Sequence, residues 1–376
     1  MASIKDEVLA TLAGVPSPEG QPLTDTGTLS DIVVTDGKVF FSITVDAGAV
    51  KQWEPVRERA EAAIRALPGI TSVLVALTGE RAAGSGGAAA RPRGQAAPGA
   101  AHGPAGSGGP AGIPGVGAII AVASGKGGVG KSTVAVNLAL GLRDLGLKVG
   151  ILDADIYGPS MPKLLAIRER PQTVGGTRLK PIVRHGMPVM SIGFLVEEET
   201  PMIWRGPMVM SALTQMLREV EWGTLDVMVV DMPPGTGDAQ LTMAQQVPLR
   251  GAVIVSTPQD LALIDARRGI AMFRRVNVPV LGVVENMSMF ICPHCGTRSD
   301  IFGHGGARHE AERLGVPFLG EVPLAMDIRE KSDAGAPVVA TEPDGAHAKI
   351  FREIAARVRD GFMAAGRAAP QIVIEA

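Results

Sequence analysis

Three features of this 376-residue chain predict an α/β fold, with a mostly parallel, doubly wound sheet and a small α+β domain ahead of it. Five short apolar runs, among them "AIIAVA", "VGILD" and "LDVMVV", each end in a polar loop, as parallel strands buried on both faces do. A glycine loop, "SGKGGVGKS", follows the first run at once. Residues 82–112 are almost wholly Gly, Ala and Pro, so the chain falls into a domain over 1–81, a linker over 82–112 and a larger domain over 113–376. The linker buries too little apolar surface to offset chain entropy, and as a flexible coil its ends would lie on the order of 30 Å apart.

Composition narrows the function classes. Lys and Arg total 36 against 38 Asp and Glu, and a net charge of −2 implies no nucleic-acid surface. No apolar run reaches the roughly 18 residues of a membrane span. The opening "MASIKDEVLATLAG" lacks the apolar core of a signal peptide. Two cysteines in so long a chain do not make a disulfide scaffold. A cytoplasmic protein with reduced thiols is expected, with no membrane and no nucleic acid among its partners.

In the first domain, residues 4–12 have helical spacing. "LSDIVVTDGKVFFSITV" reads as two strands around an Asp36-Gly37 hairpin turn. Residues 50–66 are helical with charged faces, and residues 70–77 form a third strand. This order resembles the small MIP18-like domain that is fused to, or partnered with, iron–sulfur assembly proteins. The usual "DPE" becomes Ser17-Pro18-Glu19 here, and the cysteine that some members carry after the second strand is absent. A docking domain without chemistry is the simpler reading; a catalytic one is the alternative.

The second domain opens with strand, glycine loop and helix, the context that a P-loop requires. Residues 119–123 supply the strand, Gly125-x-x-x-x-Gly130-Lys131-Ser132 the loop, and residues 134–145 the helix. The expected fold is therefore that of a P-loop NTPase. Gly125, Gly127, Gly128 and Gly130 let backbone N–H groups converge on phosphate oxygens where a Cβ would clash. Val129 and Thr133 complete the run of candidate nucleotide-binding residues, and the following helix points its positive dipole end at the same anion. Lys131 is placed for the β- and γ-phosphates, and the Ser132 hydroxyl for Mg²⁺. With its early lysine, Lys126, "GKGGVGKS" resembles the deviant loop of the class that includes nitrogenase iron protein and the Min- and Par-type ATPases. That resemblance implies that Lys126 reaches the nucleotide of a partner subunit, as an arginine finger does in trans.

Two acidic strand ends complete the nucleotide site, because ligands in doubly wound sheets gather at the carboxyl ends of strands. "VGILDAD" ends in Asp153-Ala154-Asp155, and "LDVMVVD" in Asp231. Asp231 is the candidate Mg²⁺ holder. Asp155, or less favourably Asp153, would orient the attacking water. Pro233-Pro234-Gly235-Thr236-Gly237 has the look of a γ-phosphate switch. The resemblance to that ATPase class implies that Asn286, just past a strand over 280–284, meets an adenine edge; a turn-capping Asn is the alternative. There is no guanine-reading N-K-x-D, so ATP is expected.

Cys292 and Cys295, in "MFICPHCG", are the whole thiol complement. They can be small core residues, a redox dithiol, a zinc site with His294 or His304, or ligands of an iron–sulfur cluster. A pair is half of a four-thiolate site. If Lys126 works across a two-fold axis, that axis duplicates the pair, and four thiolates suit a [4Fe–4S] cluster or a zinc ion equally.

Taken in order, "SGKGGVGKS", "DADIYGPSMP", "DMPPGTGD", "TPQDLALIDARRG", "ENMS" and "CPHCG" resemble the Mrp/ApbC-type iron–sulfur cluster carriers over about two-thirds of the chain. The resemblance implies a homodimer, ATP and Mg²⁺ binding with slow hydrolysis, a labile [4Fe–4S] cluster bridged by Cys292 and Cys295 of both subunits, and delivery to apo-proteins. Eukaryotic cytosolic relatives carry a further N-terminal four-cysteine site, for which this chain has no cysteines. Two other functions compete: a Min/Par-type spatial regulator switched by ATP, and a zinc-stabilised adaptor with vestigial hydrolysis.

Overall fold

The computed structural model describes residues 4–30, 32–35, 37–46, 48–70, 72–80, 112–174, 178–195 and 206–365. The chain divides into two compact units, Met1–Ser107 with Arg205–Ser211, and Gly108–Trp204 with Ala212–Ala376. The division falls within the expected linker, whose residues 82–111 lie outside the described ones.

The first unit contains α1 (Ile4–Ala13), β1 (Val33–Thr35), β2 (Lys38–Asp46), α2 (Val50–Arg65) and β3 (Ser72–Glu80). β1 runs antiparallel to β2 with Thr35 opposite Lys38, the register of the expected two-residue hairpin. Gly37 takes φ +74°, and Asp36 lies outside the described residues. β3 runs parallel to β2, with Lys38 opposite Ser72, so α2 is the crossover of a βαβ unit. Alternate residues Val39, Phe41, Ile43 and Val45 of β2 face one side, as the two-residue strand period dictates. They meet Val56, Ala60 and Ile64, spaced four apart on α2, and Val8 and Leu12 of α1.

The strands after residue 112 are β4 (Ile119–Ala123), β5 (Val149–Asp153), β6 (Gln172–Val174), β7 (Arg178–Lys180), β8 (Ile182–Arg184), β9 (Met187–Ser191), β10 (Val227–Asp231), β11 (Gly251–Ser256), β12 (Val280–Asn286), β13 (Phe290–Ile291), β14 (Arg298–Ser299) and β15 (Phe318–Val322). The helices are α3 (Lys131–Asp144), α4 (Met161–Leu164), α5 (Gly206–Arg218), α6 (Asp238–Gln246), α7 (Asp260–Arg275), α8 (Gly306–Leu314), α9 (Met326–Ala334), α10 (Val338–Thr341) and α11 (Ala346–Ala365). Eight strands form one sheet in the order β15-β12-β11-β4-β10-β5-β9-β8. Only β8 is antiparallel to its neighbour, so the mostly parallel, doubly wound prediction holds. Every residue of β4, β5, β10 and β11 is buried, which is why these strands read as unbroken apolar runs.

β4 lies between β10 and β11, both later in sequence, so the crevice at its carboxyl end is where connections part to either side. α3 leaves that point and packs against α11 and α10. The buried Asn137 side chain of α3 donates to Thr133 O at 2.9 Å and accepts from Val339 N at 3.2 Å, which ties α10 to the helix. Phe351 of α11 is fully buried. Phe351→Ala is expected to destabilise the second unit by about 3–5 kcal/mol, read as a shift of its urea unfolding transition.

Candidate functional site

The loop between β4 and α3 is shaped by close approach on one side and openness on the other. A Cβ at Gly125 would lie 2.2 Å from the backbone of Asp265 on α7, and one at Gly130 would lie 2.2 Å from the Asn286 side-chain nitrogen. Gly128 and Gly130 take φ +80° and +79°, the left-handed region that glycine enters without strain. Gly127 and Gly128 have open space where a Cβ would stand. That opening, beside the uncapped first turn of α3, is a concavity of backbone N–H groups suited to phosphate.

Three carboxylates and one ammonium meet at this end of the sheet. Lys131 Nζ lies 2.5 Å from Asp231 Oδ1, 3.1 Å from Ser132 Oγ and 3.9 Å from Asp155 Oδ2, and the lysine is only 5% exposed. The second Asp231 oxygen, Oδ2, is buried without a hydrogen-bond partner among the described residues. An unpartnered buried carboxylate oxygen, beside a lysine that also touches the Ser132 hydroxyl, suits a Mg²⁺ ion, which Ser132 and Asp231 would hold.

The two water-orienting candidates separate clearly. Asp153 is fully buried and engaged at both oxygens. Its Oδ1 accepts from Asp155 N, and its Oδ2 from Ser160 N, Met161 N and Ser191 Oγ, all at 2.9–3.2 Å. It thus anchors the loop after β5 to the start of α4 and to β9. Burial first, and the nearby Asp231 charge second, push its carboxyl up to about 7. Asp155 keeps a small opening, accepts from Gly158 N through Oδ1 and faces Lys131 through Oδ2. Burial raises its carboxyl above the ordinary range, and Lys131 opposes that rise.

The switch stretch is bound back onto the loop, since Gly235 N donates to Ser124 O at 2.9 Å. Lys126 is half-buried, and its ammonium has no partner among the described residues. Asn286 is the last residue of β12, which runs two residues past the strand end at 284 that the sequence suggested. Its amide nitrogen donates to Val129 O at 2.8 Å, which leaves the amide oxygen and the second N–H for an adenine edge.

Beyond Asn286 the chain reaches the thiols. Met287 sits at φ +56°, left-handed for a residue with a Cβ, at a cost on the order of 1–3 kcal/mol. Ser288 N donates to Val322 O, and its hydroxyl to Glu285 Oε1 at 2.7 Å. β13 and β14 then form a two-stranded hairpin that carries Cys292-x-x-Cys295 at its turn. Cys292 N donates to Thr297 O, and Gly296 N to Cys292 O. Cys292 is half-buried and Cys295 exposed, so the core-residue reading is set aside. Hydrogen bonding with Thr297, then with Cys292, lowers the Cys295 thiol below its usual range. Among the described residues no group of three or more His, Cys, Asp and Glu could hold a metal. The one-subunit zinc site with His294 or His304 is therefore not formed; His304 instead lies against Ser288 Oγ at 3.1 Å.

Sequence reasoning missed Glu285, although "ENMS" was singled out. Its fully buried carboxylate accepts from Gly305 N and Ala307 N at the start of α8. The signal was present as a charged residue at the end of an apolar run, where a helix N-terminus is a natural partner.

Comparison with known proteins identifies the families of both units. Residues 115–359 match the ParA family described as NUBPL iron-transfer P-loop NTPase, and residues 5–75 match the family described as iron–sulfur cluster assembly protein. The iron–sulfur protein required for NADH dehydrogenase of Arabidopsis thaliana is 56% identical over 249 residues, 66% of this chain and 80% of that one. The iron–sulfur cluster carrier protein of Escherichia coli is 56% identical over 245 residues, 65% of this chain and 66% of that one. A nucleotide-binding protein of Archaeoglobus fulgidus, solved with ADP, shares 40% identity and a TM-score of 0.54, covering 62% of this chain and 91% of that one. The cell-division ATPase MinD of Pyrococcus furiosus, at 23% identity and a TM-score of 0.50 over 65% of this chain and 99% of that one, shares the fold. With that match over most of the second unit, the chain belongs to the family of NUBPL-type iron-transfer P-loop NTPases.

Proposed function

We propose that this chain receives an iron–sulfur cluster and passes it to apo-proteins, with ATP bound and slowly hydrolysed where two copies meet. The observation that carries this reading is the two-thiol turn at the carboxyl edge of the sheet, with no third ligand among the described residues. Its missing half is supplied by a second copy across a two-fold axis. The cluster is cargo, and a [4Fe–4S] form matches four thiolates. Exposed apolar side chains at the same edge, Leu261 at 71% and Ile291 at 54%, support a surface that a second copy covers. The spatial-regulator alternative rests on fold likeness alone.

Each residue has a defined task in this reading. Backbone N–H groups from Gly127 to Thr133 bind the phosphates, and Lys131 moves from Asp231 to the β- and γ-oxygens. Ser132 and Asp231 would hold Mg²⁺, which would supply the positive charge that the departing lysine removes from the carboxylates. Asp155 orients the attacking water, Asp153 holds the Asp155 loop in place, and Lys126 reaches across to the second copy's nucleotide. Asn286 offers its amide oxygen to the adenine amino group.

Because two chains share the ligands, cluster retention depends on the contact between them. A nucleotide that favours one form of that contact by about 1.4 kcal/mol changes retention tenfold. The small N-terminal unit serves as a docking module.

Cys292→Ala and Cys295→Ala are each expected to abolish cluster binding on anaerobic reconstitution while retaining ATP binding; Lys131→Ala does the reverse. Wild-type protein should hold one cluster per two chains, with iron and not zinc in the metal count. A full cluster on Cys292→Ala protein would overturn the shared site. Asp155→Asn should lower the rate of phosphate release at saturating ATP by about 100-fold or more.

A further inference from the structure

We infer that Asn286 and Met287 form a strut inside one subunit that transmits the state of the phosphate loop to the thiol hairpin. The inference rests on the nucleotide and thiol sites proposed above, and adds how one informs the other. Asn286 is the positioning residue at the loop end. Its amide nitrogen holds Val129 O at 2.8 Å, and it lies so near Gly130 that a Cβ there would come within 2.2 Å. The Met287 methyl carbon lies 3.6 Å from the same point. A shift of the loop backbone at Val129 or Gly130 therefore displaces both side chains.

At the other end, little slack separates the strut from the thiols. Ser288 N is held by Val322 O, Ser288 Oγ by Glu285, and Met289 O by Leu324 N. Phe290 and Ile291 are then paired with Ser299 and Arg298, and Cys292 follows directly. Between the Asn286 anchor and the Ser288 anchor stands Met287, in the left-handed region at φ +56°. A non-glycine residue stays there only while its surroundings enforce it, so this position is where a small loop movement has a second backbone state to reach.

The test needs no cluster. The alkylation rate of Cys295 by iodoacetamide is measured on apo full-length protein, with and without saturating Mg-ATP, for wild type, Asn286→Ala and Met287→Gly. Circular dichroism and the ATP concentration needed for saturation are recorded for each. Wild type should show a nucleotide-dependent rate change of about fivefold or more, and in both folded variants the ratio should fall to within about twofold of one. A wild-type rate indifferent to nucleotide, or a wild-type ratio in folded Met287→Gly protein, would overturn the strut. Failure of anaerobic reconstitution would overturn the carrier reading and leave this ratio standing.

Discussion

The site is organised around a shortage of positive charge. Asp153, Asp155 and Asp231 stand at the carboxyl ends of adjacent strands, all largely removed from water, and among the described residues Lys131 is the one cation that reaches into them. Buried like charges raise one another's cost, so the cluster holds only with internal compensation. Asp153 finds it in four hydrogen-bond donors and a carboxyl shifted up to about 7. Asp231 finds it in Lys131, on one oxygen only. In the proposed function phosphate recruits that lysine away, and a divalent cation would take its place beside Asp231. On that proposal the affinities for nucleotide and metal would be coupled through Lys131.

The same loop is the mechanical centre of the second unit. Its glycines are required less for flexibility than for contact: Gly125 lies against the α7 backbone and Gly130 against the Asn286 side chain. Interfaces this tight pass on displacement, because packed atoms cannot absorb it by compression. A loop pressed between α7 and the end of β12 is therefore mechanically joined to both.

Most of this was legible in the chain because it depended on local rules. The buried parallel strands showed as unbroken apolar runs, and strand, glycine loop and helix fell within a stretch of residues that one motif describes. Asp36-Gly37 placed the first hairpin because a two-residue turn needs that chemistry. What stayed hidden depended on pairs distant in sequence. Nothing near Asp153 says that Ser191 will donate to it, and nothing near Glu285 says that α8 begins against it. The β8–β9 hairpin, turning at His185-Gly186, passed unread because its strands are short and only partly apolar. Asn286 was placed outside its strand because a buried Glu285 reads as a loop residue until its partners are known.

The placement of the thiols on a two-residue-wide hairpin, not on the sheet itself, follows from the same physics. A ligand set locked into the core would bind its cluster in one rigid geometry and release it only by unfolding part of the sheet. The β13–β14 hairpin is held by two residue pairs and by the anchors at Ser288 and Met289, while its turn stands in solvent. In the proposed function such an element would be ordered by a second copy and loosened when that copy withdraws, at a cost set by a few hydrogen bonds and not by the core. In the proposed function, a pair of thiols that is incomplete alone, on a hairpin held by few hydrogen bonds, would make cluster retention a property of an assembled dimer. The nucleotide site at the same edge is then in position to regulate it.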